Sequence, residues 1–313
     1  MINNYLSLAE LAKIEILNCE RNIDGISYWI GNKNFFVDSS STKQRYVLSI
    51  YAYTDFFDAV AADCNRFAMA ACESFSVINN VHIKNNGMAW TIIRLYYAAF
   101  FAAHATMRLF GYSCTKVSHE HAQIINDMMR LTCSPEIDLF CKGNYRLRFF
   151  ENNQNITFTS GGHSHELAWR VYMTMIEELR LNIAKLNTTS STKLAIDNAL
   201  ECVLLASGKA GSNNNTWLSN FRNSVNYKQS DKTWLPHKFK NAHKMNIPTP
   251  NSVWNSETYN YNLYSSSDIE SFFERTGIIL RFFYEVFVAA KEKNNKCGKL
   301  FRNGLFKMFS IVC

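Results

Sequence analysis

The stretch YYAAFFAAHATMRLFG, residues 96–111, limits what this chain can fold into more than any other segment. It is apolar enough to suggest a membrane span, yet Arg94 and Arg108 flank it and His104 lies inside it. A span needs roughly 20 apolar residues, and a charged group at membrane depth costs several kcal/mol. We therefore expect a buried helix of a soluble protein.

The side chains of this helix divide between one aromatic stripe and several small surfaces. The stripe recurs at steps of three and four and contains Tyr97, Phe100, Phe101, His104 and Arg108. Alanines occupy the other surfaces, so neighbouring helices can approach closely. The pattern predicts a central helix packed on several sides, in which His104 is either a hydrogen-bonded core residue or a catalytic group.

Composition favours helices over barrels and sandwiches. Hydrophobic residues make up 47% and charged residues 19% of the 313 residues, with only 12 Gly and 4 Pro for tight turns. The net charge of +7 permits a nucleic-acid partner without requiring one. The nine cysteines include no C-x-x-C pair, and no secretory signal opens the chain, so we expect a cytoplasmic protein with free thiols, no cofactor and no metal.

Periodicity and turn residues predict one mostly helical domain. Residues 1–40 form an N-terminal extension, residues 41–293 a single helical domain, and residues 294–313 a basic C-terminal tail. A small β-hairpin insert is expected at about 145–159, where Tyr145, Leu147 and Phe149 alternate with arginines. The expected helices lie at about 5–19, from Lys43 onward, and at 88–110, 118–131, 165–187 with Ser164 as N-cap, 192–206, 215–227 and 267–293.

Two of these segments together resemble the HEPN superfamily of all-helical nucleotide-binding domains. The first carries the Tyr-Tyr-Ala-x-Phe-x-Ala-Ala helix, and a helix beginning SHEHAQII follows it. Its matching positions are Tyr96, Tyr97, Ala98, Phe100, Ala102 and Ala103. The second is FRNSVNYKQ, similar to an arginine-x-x-Ala-Asp-Tyr motif, with Arg222, Asn223, Asn226 and Tyr227 in the motif places. The resemblance implies a HEPN-like helical bundle.

Many HEPN domains are metal-independent ribonucleases that act as dimers; others are toxins, phage-defence effectors or silent partners. Their nuclease motif places four to six residues between an arginine and a following histidine, and no arginine of this chain has that spacing. Two hypotheses therefore stay open. One is a HEPN-like ribonuclease or toxin-like effector; the other is a catalytically silent module that binds RNA, nucleotide or a partner protein.

Metal-free RNA cleavage needs a group that takes the 2′-hydroxyl proton and a group that stabilises charge on the phosphate. We expect Arg222 to fill the second role, since its planar guanidinium binds phosphate oxygens in pairs, with Asn223, Asn226 and Tyr227 assisting. Candidate bases are His163 and His165 in the glycine-rich stretch SGGHSHE, and His104. The alternative to a catalytic role for His163 and His165 is that they are loop and helix-capping residues.

The stretch TWLPHKFKNAHK mixes aromatic and basic residues, which suits single-stranded nucleic acid as well as an ordinary surface loop. The candidate nucleic-acid-binding residues are Lys228, Trp234, His237, Lys238 and Lys240. The expected partners are RNA or nucleotide, and either a second copy of the chain or a partner from a defence system.

Overall fold

Helices dominate the computed structural model of the chain, as the sequence predicts. The structure describes residues 2–42, 44–78, 87–132, 139–149, 155–208, 216–228, 233–234, 247–254, 267–294 and 296–312. The helices, in chain order, are α1 (Ile2–Leu8), α2 (Ile26–Gly31), α3 (Tyr53–Ser76), α4 (Met88–Leu109), α5 (His119–Thr132), α6 (Ser164–Asn182), α7 (Ser190–Ser207), α8 (Trp217–Lys228), α9 (Pro250–Trp254), α10 (Asp268–Lys293), α11 (Lys299–Asn303) and α12 (Leu305–Val312).

A five-stranded antiparallel sheet accompanies the helices. Its strands are β1 (Phe35–Val37), β2 (Arg45–Ile50), β3 (Tyr112–Val117), β4 (Gly143–Phe149) and β5 (Asn155–Ser160), in the spatial order β1-β2-β5-β4-β3. The predicted hairpin is confirmed, because β4 and β5 pair with each other. It is, however, the centre of a larger sheet and not a separate insert.

The sequence pattern misassigned the segment that follows Lys43. A continuous helix was expected there, but Arg45–Ile50 is strand β2, and α3 begins only at Tyr53. The strand is held by partners far along the chain, since Ser49 pairs with Asn155 of β5. Such pairing overrides a local helical periodicity that spans only a few residues.

Two helix boundaries also differ from expectation. The predicted helix at 5–19 ends at Leu8 and continues as two short 3-10 segments, Ala9–Leu11 and Ile14–Asn18. The next difference is at α6, which begins at Ser164 itself. His163 precedes it in extended conformation, and its side chain caps no backbone N–H, so Ser164 is not the N-cap.

Helix α4 lies at the centre, as its alanine-rich surfaces predict. It packs along α3, where Cys64 Sγ lies 3.4 Å from the carbonyl oxygen of Ala105, and it also contacts α6, α8 and α10. Gly111 adopts φ +83° two residues beyond the end of α4, a conformation in which glycine commonly terminates a helix. Strand β3 follows at once, which joins the central helix to the edge of the sheet.

Both ends of the chain contribute to the same apolar core as α4. Leu8, Trp29 and Phe35 from the first 40 residues are almost completely buried. Phe301 and Leu305 from the basic C-terminal segment are also buried, within helices that contact α3. Arg281 and Glu285, four positions apart on α10, form a buried salt bridge.

None of the helices in the described parts of the chain combines the length and the apolar content that crossing a membrane would require.

Candidate active site

The candidate site lies where α4, the start of α6 and α8 meet. Helix α4 supplies Tyr96, which is fully buried, and Tyr97, which is half-buried. The two rings form an edge contact with centroids 5.4 Å apart. Because α4 is packed on several sides, these tyrosines have fixed positions in the bundle.

His165 reaches the site through the turn between β5 and α6. Gly161 N–H donates to the Asn144 carbonyl at 2.8 Å, and the Asn144 side-chain amide donates to the Gly162 carbonyl at 3.0 Å. A Cβ atom on Gly161 would lie 2.4 Å from a Leu167 methyl carbon, so only glycine fits without movement of Leu167. The turn is therefore anchored to β4, and it places His165 in the first turn of α6.

Arg222 points inward because α8 presents one continuous stripe to the bundle. Leu218 and Val225 precede and follow Arg222 on that face, and both are buried. The adjacent Phe221 ring stacks on Phe272 of α10 with centroids 4.9 Å apart. Because these apolar neighbours pack into the bundle, the guanidinium lies beside the tyrosines of α4. Arg222 is only 5% exposed.

The hydroxyl of Tyr96 joins three side chains from α6 and α8. It lies 2.8 Å from His165 Nδ1, 2.9 Å from Ser219 Oγ and 3.3 Å from Trp169 Nε1. The indole N–H donates only, so the tyrosine oxygen accepts from Trp169. The Tyr96 hydroxyl therefore links three side chains. They are Ser219, one turn before Arg222, the candidate base His165, and Trp169 in the core of α6.

The Arg222 guanidinium completes the arrangement. One of its terminal nitrogens lies 3.4 Å from His165 Nε2, although the two residues are 57 positions apart. Its central carbon lies 4.8 Å from the Tyr96 ring centroid and 5.4 Å from that of Tyr97, within cation–π range. Its Nε–H is buried and finds no hydrogen-bond acceptor in the described part of the chain.

These contacts determine the tautomer of neutral His165. Arginine only donates, so Nε2 must carry a lone pair where it faces Arg222. The proton then resides on Nδ1 and is donated to the Tyr96 oxygen, while the tyrosine hydroxyl donates to Ser219. The hydrogen bonds thus run from His165 to Tyr96 and from Tyr96 to Ser219, and a basic nitrogen of His165 faces a permanent cation.

Burial and charge act together on the histidine. Partial burial and, secondly, the nearby Arg222 lower the pKa of His165 below its ordinary value. The pKa of the Tyr96 phenol is raised because burial disfavours its anion. At neutral pH, His165 is therefore a neutral base held beside a guanidinium.

His104, the other candidate base, belongs to a separate cluster. Its Nδ1 lies 3.3 Å from an Arg108 nitrogen, and its ring stacks on Phe67 with centroids 4.7 Å apart. Arg108 is also 3.9 Å from Asp63. Burial first, and then Arg108, lowers the pKa of His104 well below its ordinary value. Phe100 separates this cluster from His165, with each imidazole centroid 4.6 Å from its ring.

The structure brings only part of the predicted α8 motif to the site. Asn223 and Asn226 are half-buried, and neither hydrogen-bonds to Arg222 or His165 in the described structure. Tyr227 is 73% exposed, since a side chain five positions beyond Arg222 points about 140° away around the helix. The exposed His163 likewise lies outside the arrangement.

The predicted nucleic-acid-binding residues divide into two groups. Lys228 is exposed at the end of α8, and Trp234 is half-buried with its Nε1 donating to the Val225 carbonyl at 2.6 Å. His237, Lys238 and Lys240 lie outside the residues that the structure describes.

Sequence reasoning missed three members of the site. The hydroxyl of Tyr96, Ser219 and Trp169 had no assigned role, although Tyr96 stands in the motif that resembles HEPN helices. Helical spacing contains the signal for the other two. Ser219 precedes Arg222 by one turn, and Trp169 follows His165 by one turn, so each shares a face with a predicted residue.

The site holds nitrogen and hydroxyl groups without any carboxylate cluster. Across the described residues, no group of three His, Cys, Asp or Glu side chains is arranged to hold a metal ion. Comparison with known proteins gives no further assignment: no family model matches this sequence, and no match was found among curated proteins or solved structures.

Proposed function

We propose that this chain is a HEPN-like, metal-independent endoribonuclease in which His165 is the base and Arg222 binds the scissile phosphate. The observation that carries the proposal is the 3.4 Å approach between Arg222 and His165 Nε2. The arginine motif of α8 has no histidine at the usual spacing, and His165 supplies one from another helix. The resemblance of the α4 and α8 segments to HEPN motifs supports the same assignment.

In the proposed reaction, Arg222 turns from His165 Nε2 to the phosphate, and the freed Nε2 lone pair takes the proton of a ribose 2′-hydroxyl. The 2′-oxygen attacks the adjacent phosphorus, and the bond to the 5′-oxygen breaks, which leaves a 2′,3′-cyclic phosphate. The departing 5′-oxygen takes a proton from water. Arg222 donates from its terminal nitrogens and from Nε to the phosphoryl oxygens, where negative charge develops.

The hydrogen bonds of His165 suit this role. The Tyr96 oxygen accepts a hydrogen bond from His165 Nδ1–H. This contact keeps the lone pair on Nε2 and fixes the orientation of the imidazole ring. The lowered pKa of His165 keeps the base unprotonated at neutral pH. Cleavage should therefore retain its rate to a lower pH than an unperturbed histidine, with a pKa of about 6.5, would allow.

The test is cleavage of a single-stranded RNA by purified protein in EDTA. Arg222→Ala and His165→Ala should each lower the rate by about 100-fold or more. His163→Ala is the matched control, because it removes an exposed histidine two positions away and should cleave like wild type. Equal traces of activity in wild type and Arg222→Ala would indicate a contaminating nuclease and refute the assignment.

The burial of Arg222 favours a second candidate, a catalytically silent HEPN-like module that binds RNA, nucleotide or a partner protein. The guanidinium is 5% exposed and rests on two tyrosine rings, as a structural cation does. RNA binding without cleavage, unchanged by Arg222→Lys, would support this candidate.

The resemblance further suggests a toxin-like effector of phage defence that works as a homodimer or with a defence partner. Induced expression should then arrest bacterial growth for wild type and not for Arg222→Ala. Light scattering tests the paired state, and a strict monomer under activity conditions would contradict the homodimer.

A further inference from the structure

Trp90 is an exposed aromatic residue of α4, the helix that also supplies Tyr96 and Tyr97 to the candidate site. It stands in the first turn of the helix and is 50% exposed. Its ring meets the edge of Trp234, with centroids 5.5 Å apart. Trp234 is held in turn by the hydrogen bond from its Nε1 to the Val225 carbonyl. The Trp90 ring is thus supported from behind and keeps a face or edge open to solvent.

The position of Trp90 relative to Arg222 follows from helix geometry. Trp90 precedes Tyr97 by two turns, so both side chains lie on the same face of α4, about 10 Å apart along its axis. The Arg222 guanidinium lies 5.4 Å from the Tyr97 ring centroid. On α8, Val225 follows Arg222 by one turn and connects to Trp234. The aromatic pair therefore lies on the same side of the bundle as the guanidinium, at the end where α4 begins.

The charge of the two helices matches a polyanion. Arg94 of α4 and Arg222 and Lys228 of α8 are basic, and neither helix sequence includes an Asp or Glu. Arg94 stands one turn after Trp90, between it and Tyr97, and Lys228 is exposed at the end of α8. An aromatic ring beside basic side chains, on helices whose own sequences carry no carboxylate, fits a nucleobase and its phosphates better than an apolar peptide.

We propose that Trp90, buttressed by Trp234, stacks on an unpaired base of single-stranded RNA whose phosphate binds at Arg222. This inference rests on the proposed function, and it adds a substrate class: unpaired RNA rather than duplex. In a duplex the bases are stacked on one another, so the ring has no free base to receive.

Binding is measured separately from cleavage by using a labelled 2′-O-methylated oligonucleotide, in which the attacking hydroxyl is blocked. Fluorescence anisotropy should show that Trp90→Ala binds the single strand about tenfold more weakly than wild type. Trp90→Phe, which keeps a ring, should recover most of that loss. Neither substitution should change the weaker binding of a duplex of the same sequence.

Two controls exclude a general loss of structure or charge. Tyr51→Ala removes a 61% exposed ring that packs on Phe36, just before α3 and near the opposite end of α4. It should bind like wild type. Lys228→Ala should lower the slope of log affinity against log salt by about 0.7, whereas Trp90→Ala should leave that slope unchanged.

The inference would be overturned if Trp90→Ala bound the single strand with wild-type affinity. It would also be overturned if the wild-type protein did not bind the single strand, and that result would point to a protein-docking face instead. The two proposals can fail independently. Trp90-dependent binding without EDTA-resistant cleavage would leave this inference standing and refute the nuclease. Arg222-dependent cleavage with an unchanged KM in Trp90→Ala would do the reverse.

Discussion

Replacing Tyr96 with phenylalanine removes one oxygen atom and leaves the ring in place. That oxygen contacts His165, Ser219 and Trp169 at 2.8, 2.9 and 3.3 Å. A net contribution of about 0.5–1.5 kcal/mol is usual for each hydrogen bond, and a buried donor left without an acceptor costs about 1–3 kcal/mol. The cost therefore depends on which partners find replacements.

The partners of Tyr96 differ in this respect. Trp169 is 1% exposed, so its indole N–H has no route to water and bears the full penalty. Ser219 lies in the first turn of α8 and can turn its hydroxyl toward the carbonyl oxygen of Thr216. His165 is half-buried and can bond to water. We expect Tyr96→Phe to lower the free energy of unfolding by about 2–3 kcal/mol, mostly through Trp169.

Urea unfolding followed by circular dichroism measures this loss, with Tyr97→Phe as the matched control. Tyr97 is the next residue on the same helix, and its hydroxyl makes no hydrogen bond within the described structure. Its removal should change the free energy of unfolding by less than about 0.5 kcal/mol. Equal effects in the two variants, or a Tyr96→Phe variant as stable as wild type, would refute the hydrogen-bond assignment.

Three further predictions concern the interior. Tyr172→Phe should raise the free energy of unfolding by about 1 kcal/mol in urea titrations, because the Tyr172 hydroxyl is buried without a hydrogen-bond partner in the described region. A lower free energy of unfolding in the variant would show that this hydroxyl has a partner. Stability should fall as pH drops below about 6.5, because His104 takes a proton in the unfolded chain while burial lowers its pKa in the folded chain. Above that pH, His104 should contribute no further change in stability. His104→Gln should shrink the difference between urea midpoints at pH 7.5 and 5.5, and an undiminished difference would contradict the assignment. Glu285→Ala should cost about 3–5 kcal/mol by leaving Arg281 buried and unpaired, and replacing both residues with Met should recover most of it; equal losses in the single and double variants would refute the charge argument.

The sequence predicted the elements whose signal is local. The aromatic stripe and alanines of α4 identified it as a central helix, and the spacing of apolar residues identified α6, α7, α8 and α10 within a few residues. Strands β2 and β3 were missed as strands because their stability comes from partners far along the chain. Cys114, for example, pairs with Arg146 across β3 and β4. A local window contains no trace of that pairing.

The same distinction explains the site. The resemblance of two distant segments to HEPN motifs singled out Tyr97 and Arg222, and the structure places the Arg222 guanidinium 5.4 Å from the Tyr97 ring. No spacing rule could choose among the histidines, because His165 approaches Arg222 only through the packing of α6 on α4. The Tyr96 hydroxyl was hidden for a related reason, since its three partners come from two other helices.

The central claim is that Arg222 and His165 form one interacting pair, and a titration of His165 by NMR tests it whether or not RNA is cleaved. The wild-type pKa should lie below the ordinary value of about 6.5, and Arg222→Gln should raise it, although burial should still hold it below that value. Arg170→Gln, which removes an exposed cation from the same helix as His165, should leave it unchanged. Identical His165 titrations in wild type and Arg222→Gln would contradict the account.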